Sequence, residues 1–133
     1  SAHRRHVVTY SDVDAIGVTS RKQLPMRLSG KREYATAFSA LRIATGKILP
    51  SQKISVVLGF SGDEYQKEDI CVFLNAKPCR LVCEQAPHSQ QLPDMRYYRF
   101  EAENNGSAVP VSVIEIGLCE GKTEVHWAEV EIE

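Results

Sequence analysis

The stretch of residues 30–50, GKREYATAFSALRIATGKILP, decides whether the fold contains a helix. Its apolar residues recur at spacings of three and four, which is the pattern of an amphipathic helix with one buried face. Ser29 precedes the pattern as a candidate N-cap, and Gly46 and Pro50 follow it as stop signals. The residues of the apolar face are Tyr34, Ala37, Phe38, Leu41, Ala44 and Ile48. The spacing therefore predicts one helix over about residues 30–46.

Short runs of β-branched and aromatic residues, separated by turn residues, follow Pro50. Connections such as Ser61-Gly62-Asp63 and Asn104-Asn105-Gly106 are short, which predicts antiparallel hairpins arranged as a meander. The predicted strands are 6–10, 16–19, 54–60, 70–75, 79–84, 96–102, 109–118 and 123–132. The predicted fold class is α+β, with the helix packed on a predominantly antiparallel sheet of six to eight strands.

Length and composition are typical of one globular domain. The chain has 133 residues, of which 43% are hydrophobic and 25% are charged, so we expect a single domain over residues 1–133. Neither a membrane span nor a signal peptide is evident. Residue 1 is Ser rather than Met, so we also expect a processed product or an excised piece of a larger protein. We predict an intracellular location, cytoplasmic or nuclear, with mostly reduced cysteines.

Charge is distributed unevenly along the chain. Residues 1–53 contain ten Lys or Arg and three Asp or Glu, a net of +7, whereas residues 54–133 contain six and fourteen, a net of −8. Such a split predicts self-association, because a basic end and an acidic end join head to tail. The alternative is that the two segments pair within the fold or are solvated. The acids of the last strand are typical of a protected edge strand.

Two groups of residues are candidate binding sites. Basic residues lie before the predicted helix and in its first turn, where exposed backbone N–H groups also favour anions, so a phosphate, nucleic acid or an acidic protein could dock there. These residues are Arg21, Lys22, Arg27, Lys31 and Arg32. Tyr97 and Tyr98, with Arg96 and Arg99 beside them, resemble a base-stacking strand in composition. Because adjacent strand residues point to opposite faces, at least one of the two tyrosines should be accessible.

No local motif assigns a catalytic residue, a metal ligand or a cofactor. Cys79 and Cys83, with His88 beyond them, are the nearest approach to a metal cluster, but the predicted strand separates the two cysteines by about 13 Å. A nucleophilic site would need Cys83 beside His88 or His126. A cleft joining one of these histidines to a cysteine or a carboxylate would indicate an enzyme.

We therefore predict a non-enzymatic protein-interaction or self-assembly domain that uses oppositely charged surfaces. The alternative is a domain that binds nucleic acid or an anionic ligand through residues 21–32. A small enzyme with a Cys/His site is the second alternative. No cofactor is expected for any of them.

Overall fold

The chain folds into two antiparallel β-sheets, as seen in a computed structural model that describes residues 6–10, 24–31, 40–84, 94–103 and 110–132. The strands of the larger sheet are β1 (His6–Tyr10), β2 (Met26–Gly30), β4 (Ile54–Ser61), β7 (Arg80–Glu84), β8 (Met95–Ala102) and β10 (Gly121–Ile132). The strands of the smaller sheet are β3 (Ala40–Thr45), β5 (Ile70–Leu74), β6 (Lys77–Pro78) and β9 (Ser112–Leu118). A short 3-10 turn, Lys67–Asp69, precedes β5.

The predicted helix over residues 30–46 is wrong, and so is the α+β fold class. Gly30 ends β2, and Ala40–Thr45 is β3, which pairs with β9. Leu41 and Ile43 are fully buried, whereas Arg42 is partly exposed. This is a period of two, which buries one face of a strand. In the described residues the Lys67–Asp69 turn is the helical element, so the fold is all-β there; residues 32–39 lie outside them.

Most predicted strands are confirmed, but the predicted meander is wrong. In the larger sheet the order is β1-β10-β4-β8-β7, with β2 also paired to β10, and in the smaller sheet it is β3-β9-β5-β6. The turns after β4 and after β9 therefore carry the chain from one sheet to the other instead of closing hairpins. Turn residues determine that the chain reverses, but they do not determine which sheet the next strand joins. The predicted strand at 16–19 lies outside the described residues.

The hydrophobic core lies between the two sheets. Alternate residues of β2, β5 and the first part of β9 are buried, as expected for sheets packed face to face. The larger fully buried side chains are Tyr98, Phe60, Phe100, Leu28, Leu41, Ile43, Ile48, Ile54, Leu58, Ile114, Ile116 and Leu118. Gly30 lies where β2 meets the end of β9, because a Cβ there would run into the carbonyl oxygen of Leu118.

A disulfide joins Cys71 on β5 to Cys119 just after β9. The expectation of mostly reduced cysteines is therefore wrong for this pair. The sequence did not indicate the pairing, because 48 positions separate the two residues and β5 and β9 become neighbours only in the folded sheet. Disulfides persist mainly in oxidising compartments, which weakly favours a non-cytoplasmic location over the predicted intracellular one.

Removing the disulfide is expected to destabilise the domain. The double variant Cys71→Ser/Cys119→Ser should lower the free energy of unfolding by about 2–4 kcal/mol, because a long closed loop restricts the unfolded chain. Urea denaturation of wild type and variant under oxidising conditions measures this difference. Cys83→Ser is the control, since Cys83 is exposed and outside the disulfide, and it should change stability by less than about 0.5 kcal/mol. An equally stable double variant would contradict the expectation.

Gly30→Ala should also destabilise the fold, by roughly 1–3 kcal/mol, because the added methyl group would force β2 away from β9. Gly46→Ala is the matched control, since a Cβ at Gly46 meets nothing within 4 Å. Thermal unfolding of the two variants side by side tests the difference. Equal melting temperatures would mean that β2 and β9 separate at little cost.

Candidate functional site

A groove runs along the surface between β2, β10 and the turn that follows β4. It consists of two adjoining cavities of about 540 Å³ and 450 Å³, which share Ser29, Glu64 and Lys122 as lining residues. The charged residues of the lining are Arg27, Lys31, Lys122, Glu64, Glu120 and Glu124. We refer to this surface as the mixed-charge groove, because its lining, as far as the described residues go, carries three basic and three acidic side chains.

The wall of the groove is fixed by the start of β10 and the turn after β4. Gly121 has a φ of +92°, a left-handed conformation that favours glycine, and a Cβ there would run into the backbone oxygen of Glu64. The backbone N–H of Lys122 donates a hydrogen bond to the same oxygen, with an N···O distance of 2.9 Å. Thr123 Oγ1 donates to the backbone oxygen of Ser61 at 2.6 Å. These contacts hold the turn against β10.

The ion pairs of the groove are long and open to solvent. Lys122 Nζ lies 3.5 Å from Glu64 Oε1, and the two side chains are 68% and 65% exposed. Arg27 Nε lies 3.9 Å from Glu124 Oε1, and the Arg27 side chain is 90% exposed. Exposed pairs of this kind contribute about 0–1 kcal/mol to stability. Their charges can therefore exchange partners at small cost.

A β-bulge in β10 places His126 beside the groove. Val125 pairs with Phe60 and Trp127 pairs with Gly59, so His126 is the extra residue on β10. Bulges of this kind redirect a side chain and occur often beside functional sites. His126 Nε2 lies 3.2 Å from Ser61 Oγ and 3.6 Å from Glu124 Oε2. The bulge thus brings a histidine next to a carboxylate and a hydroxyl, although His126 itself is not among the residues that line the two cavities.

The arrangement of these three side chains does not match that of a hydrolase. A general base must accept the serine proton on one ring nitrogen while an acid orients the ring through the other nitrogen. Here Ser61 and Glu124 both approach Nε2, so the carboxylate contacts the same ring nitrogen as the hydroxyl and not the opposite one. The three side chains therefore do not form a Ser-His-acid triad.

The predicted Cys/His site is not assembled in the described residues. Cys83 lies on β7 and His126 on β10, with β8 and β4 between these two strands. Three strand spacings separate such residues by about 14 Å. His88 lies outside the described residues. Among the side chains that the structure describes, no group of three His, Cys, Asp or Glu residues could hold a metal ion.

The predicted basic site is described in part. Arg27 and Lys31 both line the groove, whereas Arg21, Lys22 and Arg32 lie outside the described residues. Acidic side chains accompany these two basic residues in the groove. The described part of the site is therefore less cationic than the sequence suggests.

Tyr97 and Tyr98 are both buried, which leaves neither as an exposed stacking surface. Tyr97 is 8% exposed and packs with Val57 and Trp127 on the outer face of the larger sheet. Tyr98 is 1% exposed in the core, and its hydroxyl lies 3.0 Å from that of Tyr65. Burial raises the pKa of Tyr65 well above its ordinary value, and the hydrogen bond with Tyr98 raises it further.

The outer face of the larger sheet also holds a buried charged cluster that the sequence did not predict. Arg99 Nη2 lies 3.5 Å from Glu131 Oε1 and donates a hydrogen bond to Ser55 Oγ at 3.0 Å. Glu129 and Glu131 are 1% and 4% exposed. They alternate with Ala128 and Val130 along β10, a pattern that fits a strand buried on both faces as well as an exposed edge strand. The edge interpretation is wrong, because β10 has neighbours on both sides.

Comparison with known proteins finds no family model that matches this chain and no curated protein with significant sequence similarity. Within the described part of the chain, every helix is too short or too polar to cross a membrane.

The two cysteines outside the disulfide should differ in reactivity. Burial raises the pKa of the Cys79 thiol from 9.0 to about 11, which leaves about a hundredfold less thiolate near pH 8 than an unperturbed thiol has. Cys83 is exposed. With a thiol-specific reagent at pH 8, we expect fast modification of Cys83 and slow modification of Cys79, read by mass spectrometry of the native protein. Equal rates would show that the Cys79 thiol is accessible and has the pKa of an ordinary thiol.

Proposed function

We propose that this chain is a non-enzymatic interaction domain that binds a protein partner, or further copies of itself, through the charged side chains of the mixed-charge groove. The observation that carries the proposal is the balance of three basic and three acidic side chains among the described residues of one groove. The surface of a partner protein carries both signs of charge, so it can pair with the acidic and the basic side chains of the groove. A mixed lining of this kind therefore fits a protein more closely than it fits a uniform polyanion.

Nucleic acid is the less favoured ligand for an electrostatic reason. A phosphate backbone presents one sign of charge along its whole length. It would gain from Arg27 and Lys31, but it would approach Glu64, Glu120 and Glu124 in the same groove. Repulsion from these carboxylates offsets the attraction of the basic side chains.

The exposed ion pairs add a second argument for a protein partner. Lys122 and Glu64 are both about two-thirds exposed, so their mutual attraction is weakened by water. An incoming protein surface that excludes water strengthens the charge pairs that it forms. Charge complementarity of this kind contributes more to specificity and to the association rate than to raw affinity.

Association of the purified chain should depend on salt. Sedimentation velocity across protein concentration, from about 0.01 M to about 1 M salt, spans screening lengths of about 30 Å to about 3 Å. We expect complexes at low salt that dissociate at high salt. The same series with a short single-stranded oligonucleotide tests the alternative. A protein that stays monomeric alone but binds the oligonucleotide, with affinity that falls as salt rises, would overturn the proposal in favour of a nucleic-acid binding domain.

A further inference from the structure

The charges of the mixed-charge groove are self-complementary. In a two-fold symmetric contact a surface meets its own copy, so it must carry both partners of each interaction. Lys122 and Glu64 satisfy this condition, because they lie side by side at 3.5 Å and line both cavities of the groove. A rotation about an axis near this pair brings Lys122 of one copy to Glu64 of the other, and the reverse pair forms at the same time.

We infer that the partner of the groove is a second copy of this chain, joined about a two-fold axis through exchanged Lys122–Glu64 pairs. This assignment rests on the proposed function and names its partner. Inside one copy the pair is exposed and contributes little. Between two copies the same charges form two pairs in a setting with less water, where each attraction is stronger.

Head-to-tail joining of a basic pole to an acidic pole is less favoured by the described strands. The basic and acidic parts of the sequence do not occupy separate regions there, because β2 and β3 pair with β10 and β9. Arg27 faces Glu124 across one of these strand pairs, and Arg42 Nε lies 2.7 Å from Glu115 Oε2 across the other. A surface that carries both signs of charge close together suits a two-fold symmetric contact better than a head-to-tail contact.

Two charge reversals, studied separately and then mixed, test the inference. In Lys122→Glu the exchanged pairs become Glu facing Glu, and in Glu64→Lys they become Lys facing Lys. Each variant alone should associate more weakly than wild type, by a factor of up to roughly ten in affinity. An equimolar mixture should recover wild-type affinity or better, because each exchanged pair then joins opposite charges. Sedimentation equilibrium measures the affinities, and native mass spectrometry counts mixed against like dimers.

Matched controls separate this contact from a general effect of net charge. Lys77→Glu and Glu103→Lys change net charge by the same amounts at exposed positions outside the groove lining, and they should associate as wild type does. Circular dichroism checks that each variant is folded. Lys122→Gln and Glu64→Gln remove the charge without reversing it, and they replace a reversal variant that does not fold. Preferential formation of mixed dimers would support the two-fold contact.

Two outcomes would overturn the inference, and they differ in their effect on the proposed function. If wild type associates in a salt-sensitive way but both reversal variants associate with the same affinity as wild type, the two-fold contact is wrong. The association then uses a charged surface elsewhere on the chain. If wild type remains monomeric at millimolar concentration in low salt, a second copy is not the partner. The oligonucleotide series then decides whether the interaction-domain proposal fails as well.

Discussion

The pairing of β10 is the constraint on which the rest of the structure depends. This strand pairs with β4 along one side and with β2 and then β1 along the other. Its inward residues belong to the core, and its outward residues Trp127, Glu129 and Glu131 are buried as well. A strand covered on both faces and both edges fixes the positions of all its neighbours. The groove exists because β2 and the turn after β4 both meet the first half of this strand.

The bulge at His126 lets one strand serve these different neighbours. Before it, Thr123 and Val125 are buried at odd positions, and after it Ala128 and Val130 face the core at even positions. The inserted residue therefore changes which alternate side chains face inward. It also turns His126 toward Ser61 and Glu124. The same local irregularity thus supports the core on one side of the sheet and shapes the charged surface beside it.

Local patterns predicted the strands better than their arrangement. Runs such as 54–60 and 96–102 are rich in β-branched and aromatic residues, and each forms a strand. Residues 40–45 were misread because Leu41, Ala44 and Ile48 satisfy helical spacing while Leu41 and Ile43 satisfy strand spacing. Pairing with β9, which lies more than sixty positions away, decides between the two patterns. The disulfide and the cross-sheet turns depend on similarly distant contacts.

The candidate site shows why charge along a sequence differs from charge in a fold. Arg27 and Lys31 were predicted from a basic segment, and both do line the groove. Their acidic neighbours come from residues 64–124, between 33 and 97 positions further along the chain. Antiparallel pairing of β2 with β10 brings Glu124 to them, and the hydrogen bond from the Lys122 N–H to the Glu64 oxygen brings the turn after β4. A chain that is basic at one end and acidic at the other therefore produces a groove with balanced charge. The partner that we propose for such a groove is therefore not a polyanion but a surface that carries both signs of charge, namely a second copy of the same groove.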